Sequence, residues 1–359
     1  VKPISGASLR TAGGKESVLW PGAIEIFVSN DNNKYFYAAD LVETKRYSFP
    51  IPEDVYGIFN YKNNSLRTKG RYVKFRCFPA GNYFFCDELE VYSGPAECLN
   101  IKEPGREVKG DFLEKILITR GMKNRMFSDI IAIEKMDIRL KEKLGPKYPG
   151  GIKEKLQLLW NEVSKYEFRS EPGSMTAAVP MNGLHERIIA MNSEILNLKG
   201  FGGLILRHKD RYERVSLFEE PTEDPASITA RLMNGETRAD TINICNCTPE
   251  RRELHFSVKG LPDPAVLKVY KVSGVDTREK IIDFSALVEL KDVNGVYDVS
   301  APAGMVTQLW FSFNPVSVKP GSYAGEINFS SREWTEKVPL SMTVSPLKFP
   351  DKIGLDVIL

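Results

Sequence analysis

The sequence predicts a mainly β protein with a helical middle: a discoidin-like jelly-roll β-sandwich, an α-helical segment and an Ig-like antiparallel β-sandwich. Hydrophobic residues alternate with a period of two up to about residue 95. They then follow a helical period to about residue 200 and return to a period of two. We therefore divide the chain into residues 1–95, 96–200 and 201–346, with 347–359 as the start of a linker.

The first region contains a β-hairpin signature. Ile24, Ile26 and Val28 share one face of a strand, and Asn30-Asp31-Asn32-Asn33 leads into an aromatic strand, residues 35–37. The stretch RYVKFRCFPAGNYFFCDELEVY, residues 71–92, holds two more runs joined by a Pro-Ala-Gly-Asn turn. Short strands with polar turns between them predict an antiparallel sandwich.

The middle region predicts three helices, at about residues 123–144, 151–164 and 183–198. Apolar residues recur there at alternating spacings of three and four, as in Leu184, Ile188 and Met191. Gly200 is placed to end the third helix. From Gly202 onward, alternating runs such as TINICNC, VLKVYKV and TQLWFSF predict the second sandwich.

Composition excludes some classes of partner and leaves others open. The net charge of +2 gives no reason to expect a nucleic-acid partner. No apolar run reaches the ~18 residues of a transmembrane helix, so we expect no membrane span. Because the chain starts with Val-Lys-Pro and ends in an apolar run, we expect it to be a piece of a larger protein.

Five cysteines leave at least one thiol unpaired within this chain. Cys77 and Cys86 lie on two runs joined by a turn, so a disulfide between them stays open. Cys245 and Cys247 share a strand face, but no histidine lies at zinc-ligand spacing from them. We favour buried free thiols over a zinc site.

Adjacent carboxylates at Asp87 and Glu88 raise the question of acid–base catalysis. Neighbouring residues of a regular strand point to opposite faces, whereas the paired carboxylates of a glycosidase face each other across roughly 5–9 Å. We therefore interpret the pair as structural. No nucleophile elbow or metalloprotease motif occurs in the sequence, and we assign no catalytic residue.

The first region resembles a discoidin-type module, the galactose-binding-like jelly roll also found in coagulation-factor C domains. The segments that carry this resemblance are IEIFVSNDNNKYFY, TKGRYVKFRC and CDELEVYSG, and the N-terminal part of a full module is missing. The segments PAGMVTQLWFSF, KPGSYAGEINFSS and VPLSMTVSPLKFPDK are similar to the sandwich that precedes the catalytic barrel in large bacterial glycoside-hydrolase-like proteins.

These resemblances imply a non-catalytic region of a secreted bacterial carbohydrate-active protein that binds or positions carbohydrate. They also imply an extracytoplasmic location and a partner domain downstream in the same protein. Two alternatives stay open. The parent protein is a glycoside hydrolase whose barrel follows Leu359, or the chain is a structural, adhesin-like spacer.

Aromatic residues near predicted loops of the first region are the candidate ligand-binding residues: Trp20, Tyr56, Tyr61 and Tyr83. Each could equally pack into a core. Asp31, with its neighbouring asparagines, offers oxygen ligands for calcium, but Asp and Asn are also common turn formers.

Overall fold

The computed structural model describes residues 1–43, 55–277, 281–332 and 334–350. The helices are α1 (Phe112–Leu144), α2 (Ile152–Lys165) and α3 (Gly183–Leu198). The strands are β1 (Lys2–Gly13), β2 (Ala23–Ser29), β3 (Tyr35–Asp40), β4 (Gly57–Asn63), β5 (Thr68–Gly70), β6 (Tyr72–Phe78), β7 (Phe85–Ser93), β8 (Arg106–Glu107), β9 (Leu204–His208), β10 (Ile228–Asn234), β11 (Arg238–Asn246), β12 (Arg252–Lys259), β13 (Leu267–Asp276), β14 (Ile282–Leu290), β15 (Tyr297–Ala301), β16 (Val306–Phe313), β17 (Gly321–Ser331) and β18 (Trp334–Lys348). The prediction of a mainly β protein with a helical middle is confirmed, and residues 351–359 of the predicted linker lie outside the described residues.

Two compact units make up the chain, Val1–Glu114 and Lys115–Leu359. The sequence analysis ended the first region at residue 95, but strand β8 lies beyond that point and pairs with β3. Helices α2 and α3 and most of α1 belong to the same unit as the second sandwich.

The first unit is a sandwich of two four-stranded sheets. In one sheet, β1 pairs with β4, β5 and β7; the other has the order β6-β2-β3-β8. Side chains from both sheets form one core, including Leu9 and Tyr61 from the first and Ile24, Ile26 and Val28 from the second. The predicted hairpin is present as β2 and β3. The sequence analysis assigned no strand to the first residues, yet β1 is the central strand of its sheet.

The three helices pack together through an apolar cluster that includes Met126, Ile130, Leu159, Val163 and Ile188. The bounds of α2 and α3 agree with the prediction, whereas α1 begins about three turns earlier than expected. The side chain of Asn182 caps α3 by accepting a hydrogen bond from the His185 N–H at 2.9 Å. Gly200, with φ +93°, follows the end of α3 in a conformation that favours glycine.

A buried polar cluster ties α1 to α3 and to the second sandwich. Asp129 accepts hydrogen bonds from Arg125 at 2.5 and 2.9 Å and from His185 Nε2 at 2.8 Å. His185 Nδ1 accepts the Met181 N–H at 3.2 Å, so Nε2 carries the proton of the neutral ring. Arg125 also contacts Asp276 of β13 at 3.3 Å. The Arg125–Asp129 pair of α1 is therefore linked to α3 through His185 and to β13 through Asp276.

The second unit contains a sandwich of two five-stranded sheets, with orders β10-β18-β17-β12-β15 and β14-β13-β16-β11-β9. Its core is the largest apolar cluster described and includes Phe256, Phe311, Phe313 and Phe329. The sequence analysis expected only antiparallel pairing, but β10 pairs parallel with β18. A parallel neighbour needs a long connection, and here the whole of β11–β17 separates the two strands.

Replacing Asp129 by Ala should destabilise the second unit by about 3–5 kcal/mol, because Arg125 would be left buried without its main counter-charge. The matched control is Glu162→Ala, which removes the exposed partner of Arg187 and should cost less than about 1 kcal/mol. Urea unfolding followed by circular dichroism measures both changes. Equal losses for the two variants would contradict a structural role for the buried cluster.

Candidate functional site

Three chain segments meet at one end of the first sandwich because they all adjoin the end of β1. Gly13 pairs with Gly57 of β4, and Ala12 lies between Ile58 of β4 and Phe85 of β7. The turn after β1 is joined to the turn before β7, since the Tyr83 N–H donates to the Ser17 carbonyl at 3.2 Å. Tyr56 and Tyr83 thus lie at the same end of the sandwich.

The side chains at this end are exposed although most of them are apolar. Tyr56 is 55% exposed and Tyr83 is 60% exposed. Tyr83 stacks on Phe85, with ring centroids 6.5 Å apart and ring planes 12° from parallel. We call this surface the aromatic end; it consists of Leu19, Val55, Tyr56, Ile58, Tyr83 and Phe85.

Trp20 lies beneath the aromatic end and is half-buried. Its ring contacts Phe59 edge-on at 6.2 Å and belongs to the margin of the sandwich core. Gly14 has φ +112°, and a Cβ there would lie 2.2 Å from the Val55 carbonyl and 3.0 Å from Trp20 Nε1. Only glycine allows this close approach, so Gly14 brings the chain before β4 against the indole.

Tyr61 is not available to a ligand, which corrects the sequence analysis. Its side chain is 1% exposed and its ring contacts Phe59 edge-on at 4.7 Å. Tyr61 pairs with Leu9, which faces the core, so alternation along β4 turns the tyrosine inward. Of the four aromatic residues predicted to bind ligand, the structure brings together Trp20, Tyr56 and Tyr83.

A charged row borders the aromatic end on the outer face of the β4-β1-β7 sheet. Ile58, Ala12 and Phe85 form the apolar row, and Asn60, Arg10 and Glu88 form the next row. Farther along the same face, Glu90 accepts hydrogen bonds from Tyr92 and Ser8, and these bonds lower the pKa of its carboxyl group. Asn60 and Glu88 thus lie one row from the exposed apolar residues, and Glu90 lies one row farther along the sheet.

Asp87 and Glu88 do not point to opposite faces, contrary to the sequence analysis. The pairing of β7 with β1 shifts between Arg10–Glu88 and Thr11–Cys86, which leaves Asp87 as the extra residue of a β-bulge. Arg10 consequently reaches both carboxylates, Asp87 at 2.6 Å and Glu88 at 3.7 Å. The hydrogen bond from Arg10 lowers the pKa of Asp87. One arginine holds both groups, which accounts for the pair in structural terms.

Asp31 organises the β2–β3 turn. Its Oδ1 accepts hydrogen bonds from the Ser29 hydroxyl at 3.0 Å and from the N–H groups of Asn33 and Lys34 at 2.9 Å. These bonds lower the pKa of Asp31, with the Asn33 N–H as the first cause. The hydrogen bonds of Asp31 Oδ1 are those of a turn-forming residue, which was the alternative interpretation. Calcium binding at Asp31 stays a prediction.

The five thiols are unpaired in the structure. Cys98, Cys245 and Cys247 are buried, in agreement with the preferred interpretation, whereas Cys77 is half-buried and Cys86 is exposed. Burial raises the pKa of Cys77 to about 11, that of Cys245 to about 12 and that of Cys247 to about 11. Four of the five thiols are therefore shielded to some degree.

The sequence analysis missed a groove of about 600 Å³ on the second sandwich, lined by both polar and apolar side chains. His255 and Asp298, on the neighbouring strands β12 and β15, are joined there by a 2.6 Å contact between Nδ1 and Oδ1. Ser257, Asn328 and Lys337 line the same groove. The His–Asp pair is exposed to water on both sides, which weakens its electrostatic interaction. The two residues are 43 positions apart in the sequence, so no local sequence pattern indicates that they pair.

Within residues 1–43, 55–277, 281–332 and 334–350, no helix combines the length and apolar character needed to cross a bilayer. The same ranges contain no group of three or more His, Cys, Asp or Glu side chains placed to hold a metal ion.

No protein-family model and no curated protein matches this chain. Among solved structures it is similar to a family 123 glycoside hydrolase from Clostridium perfringens, at 13% identity and a TM-score of 0.33, over 41% of this chain and 28% of that chain. It is also similar to a non-cellulosomal cohesin from Archaeoglobus fulgidus, at 14% identity and a TM-score of 0.21, over 33% and 87% of the two chains. An MSP family member from C. elegans shows 13% identity and a TM-score of 0.18, over 33% and 92%. These scores are too low to support an argument about function.

Replacing Arg10 by Met should raise the pKa of Asp87 toward its ordinary value, because the hydrogen bond and charge that stabilise the carboxylate are lost. Since the folded pKa lies below the unfolded one, the pair contributes stability above the unfolded pKa and loses it as pH falls through the folded pKa. NMR titration of the carboxyl carbons measures the change. Arg187→Met, which frees Glu162 instead, should leave Asp87 unaffected, and an unchanged Asp87 pKa in Arg10→Met would contradict this assignment.

A thiol reagent such as DTNB should label one cysteine of the folded protein rapidly at pH 8. Cys86 is exposed, whereas the other thiols are partly or fully shielded and at least three have a raised pKa. Cys86→Ser should abolish the rapid phase, and Cys98→Ser should leave it intact. Rapid labelling of several thiols in the folded state would show that the described packing is wrong.

Proposed function

We propose that this chain is a non-catalytic region that binds or positions carbohydrate within a larger carbohydrate-active protein. The observation that carries the proposal is the aromatic end of the first sandwich. Two segments that lie far apart in the sequence, one with Tyr56 and one with Tyr83 and Phe85, meet at one exposed end of the first sandwich.

Exposed rings next to fixed polar groups suit the chemistry of a sugar. The C–H face of a pyranose ring packs against an aromatic face, while its hydroxyl groups need hydrogen-bond partners. The stacked rings of Tyr83 and Phe85 offer the apolar contact. Asn60 and Glu88 lie in the adjacent row, where their oxygens keep lone pairs that can accept hydrogen bonds from hydroxyl groups.

The resemblance of the first unit to a discoidin-type module supports the same class of ligand. The basis for proposing the discoidin type is this resemblance of sequence segments, and not the order of strands in the sheets. An extracytoplasmic location and a partner domain downstream belong to the same proposal. A catalytic barrel after Leu359 and a purely structural spacer stay open as predictions about the parent protein.

Titration with D-galactose, followed by saturation-transfer NMR, tests the proposal. We expect binding near the millimolar range, about −4 kcal/mol, because a single sugar would contact few rings. Tyr83→Ala should weaken binding by about fivefold, which corresponds to the ~1 kcal/mol of one aromatic contact. Tyr56→Ala should also weaken it.

The matched control is Tyr212→Ala, because Tyr212 is 81% exposed and belongs to the second unit. Its replacement should leave galactose binding unchanged. If a panel of neutral monosaccharides shows no saturation transfer, or if the three tyrosine variants lose binding equally, the aromatic end is not a carbohydrate site.

A further inference from the structure

A cavity of about 520 Å³ opens at one end of the second sandwich, within the ~300–1,000 Å³ range of small-molecule sites. It belongs entirely to the second unit and does not involve the aromatic end of the first. The side chains that matter to its chemistry are Leu204, Thr248, Arg252, Ser331, Arg332 and Trp334.

The cavity is formed where the inward-facing rows of both sheets reach their last positions. Leu204 begins β9 in one sheet, while Arg252 begins β12 and Trp334 begins β18 in the other. Alternation places Arg252 on the same side of β12 as the buried residues Leu254 and Phe256. The apolar core therefore ends in a guanidinium group and an indole ring, where an aliphatic residue would have closed it.

Trp334 supplies an apolar wall that is only partly covered. It packs against the sandwich core yet remains half-buried, so part of its ring borders the cavity. An indole face at a cavity wall is suited to stacking against the flat face of a small ring.

Arg252 supplies a positive charge with unused donors. Its Nε donates to Thr248 Oγ1 at 3.3 Å, and among the described residues its terminal nitrogens have no hydrogen-bond partner. Arg332, at the rim, is 3.9 Å from Glu250, and both side chains of that contact are largely exposed. Such an exposed pair screens little of the charge at the rim.

Hydroxyl groups in the cavity wall already use their protons within the protein. Thr248 Oγ1 donates toward Asn246 Oδ1 at 2.7 Å, and Ser331 Oγ donates to the Glu253 carbonyl at 2.6 Å. The Ser331 oxygen keeps its lone pairs for a ligand, and Thr248 Oγ1, which already accepts a hydrogen bond from Arg252 Nε, keeps one. The wall therefore suits a ligand that carries hydroxyl donors.

We infer that this cavity binds a monosaccharide with a carboxylate group, that is, a uronate. The sugar ring stacks on Trp334, its carboxylate receives two parallel hydrogen bonds from the Arg252 guanidinium, and Arg332 adds positive charge at the rim. A planar guanidinium matches a carboxylate in this two-bond geometry, which an ammonium group cannot reproduce.

Titration of the full chain with D-glucuronate and with D-glucose, followed by saturation-transfer NMR, tests the inference. We expect glucuronate to bind at least about tenfold more tightly than glucose, since the two differ only in the charged group. Arg252→Gln should weaken glucuronate binding at least about tenfold, and Arg252→Lys should also weaken it because the paired hydrogen bonds are lost. Trp334→Leu should weaken both sugars.

The matched control is Arg231→Gln, which removes an exposed arginine from β10 of the same sandwich and should leave binding unchanged. Tyr83→Ala should also have no effect on glucuronate, which separates this site from the proposed galactose site. Because Trp334 packs on the core, the folding of its variant is checked by circular dichroism. The Arg252 variants test the inference even if the Trp334 variant does not fold. No glucuronate binding, equal binding of the two sugars, or indifference to Arg252→Gln would each overturn the inference.

Discussion

The backbone pairing of β1 is the constraint on which the first unit depends. This strand, residues 2–13, bonds to β4, β5 and β7, and among the strands that the structure describes it alone joins these three. Its register decides which residues of β4 and β7 meet, and so places Ile58 beside Ala12 and Ala12 beside Phe85. A slip of one residue would turn Leu9 outward and reverse both faces of the sheet. The aromatic end is therefore a consequence of the β1 ladder as much as of the loops that carry its rings.

The second unit depends on a different kind of constraint, the burial of polar groups whose partners come from separate elements. Asp129 holds Arg125 and His185, and a second buried carboxylate, Asp240, accepts hydrogen bonds from His208 Nε2 at 2.9 Å and the Thr229 N–H at 2.8 Å. Satisfied in this way, such groups favour one arrangement of helices and strands, because any other packing would leave a charge buried without a partner. Apolar packing supplies most of the stabilisation, and these groups favour the observed arrangement.

Local sequence patterns were sufficient to predict an element when the residues at its end mark where it stops. Helix α3 was predicted correctly because its apolar stripe is regular and Gly200 ends it. The first turns of α1 were missed because their apolar residues do not form one buried stripe: no residue of α1 before Met122 is buried. The bulge at Asp87 was also missed, because it depends on pairing with β1, a strand 74 or more residues away. Tyr61, Tyr56 and Tyr83 look alike in sequence, and only the register with β1 shows that the first is buried.

Exposed apolar side chains on an edge strand normally invite association with other chains. Among the described strands β7 pairs with β1 alone, and it carries several such side chains. Its charged residues oppose such association: Asp87 and Glu88 are bound to Arg10, and Glu90 is bound to Ser8 and Tyr92. The bulge adds a local twist at the same place. The strand is thus protected against pairing along its length, while the rings at its start stay uncovered. This combination fits a surface that receives a small polar ligand better than one that receives another strand, because a ring can stack on Tyr83 or Phe85 without using the backbone of β7.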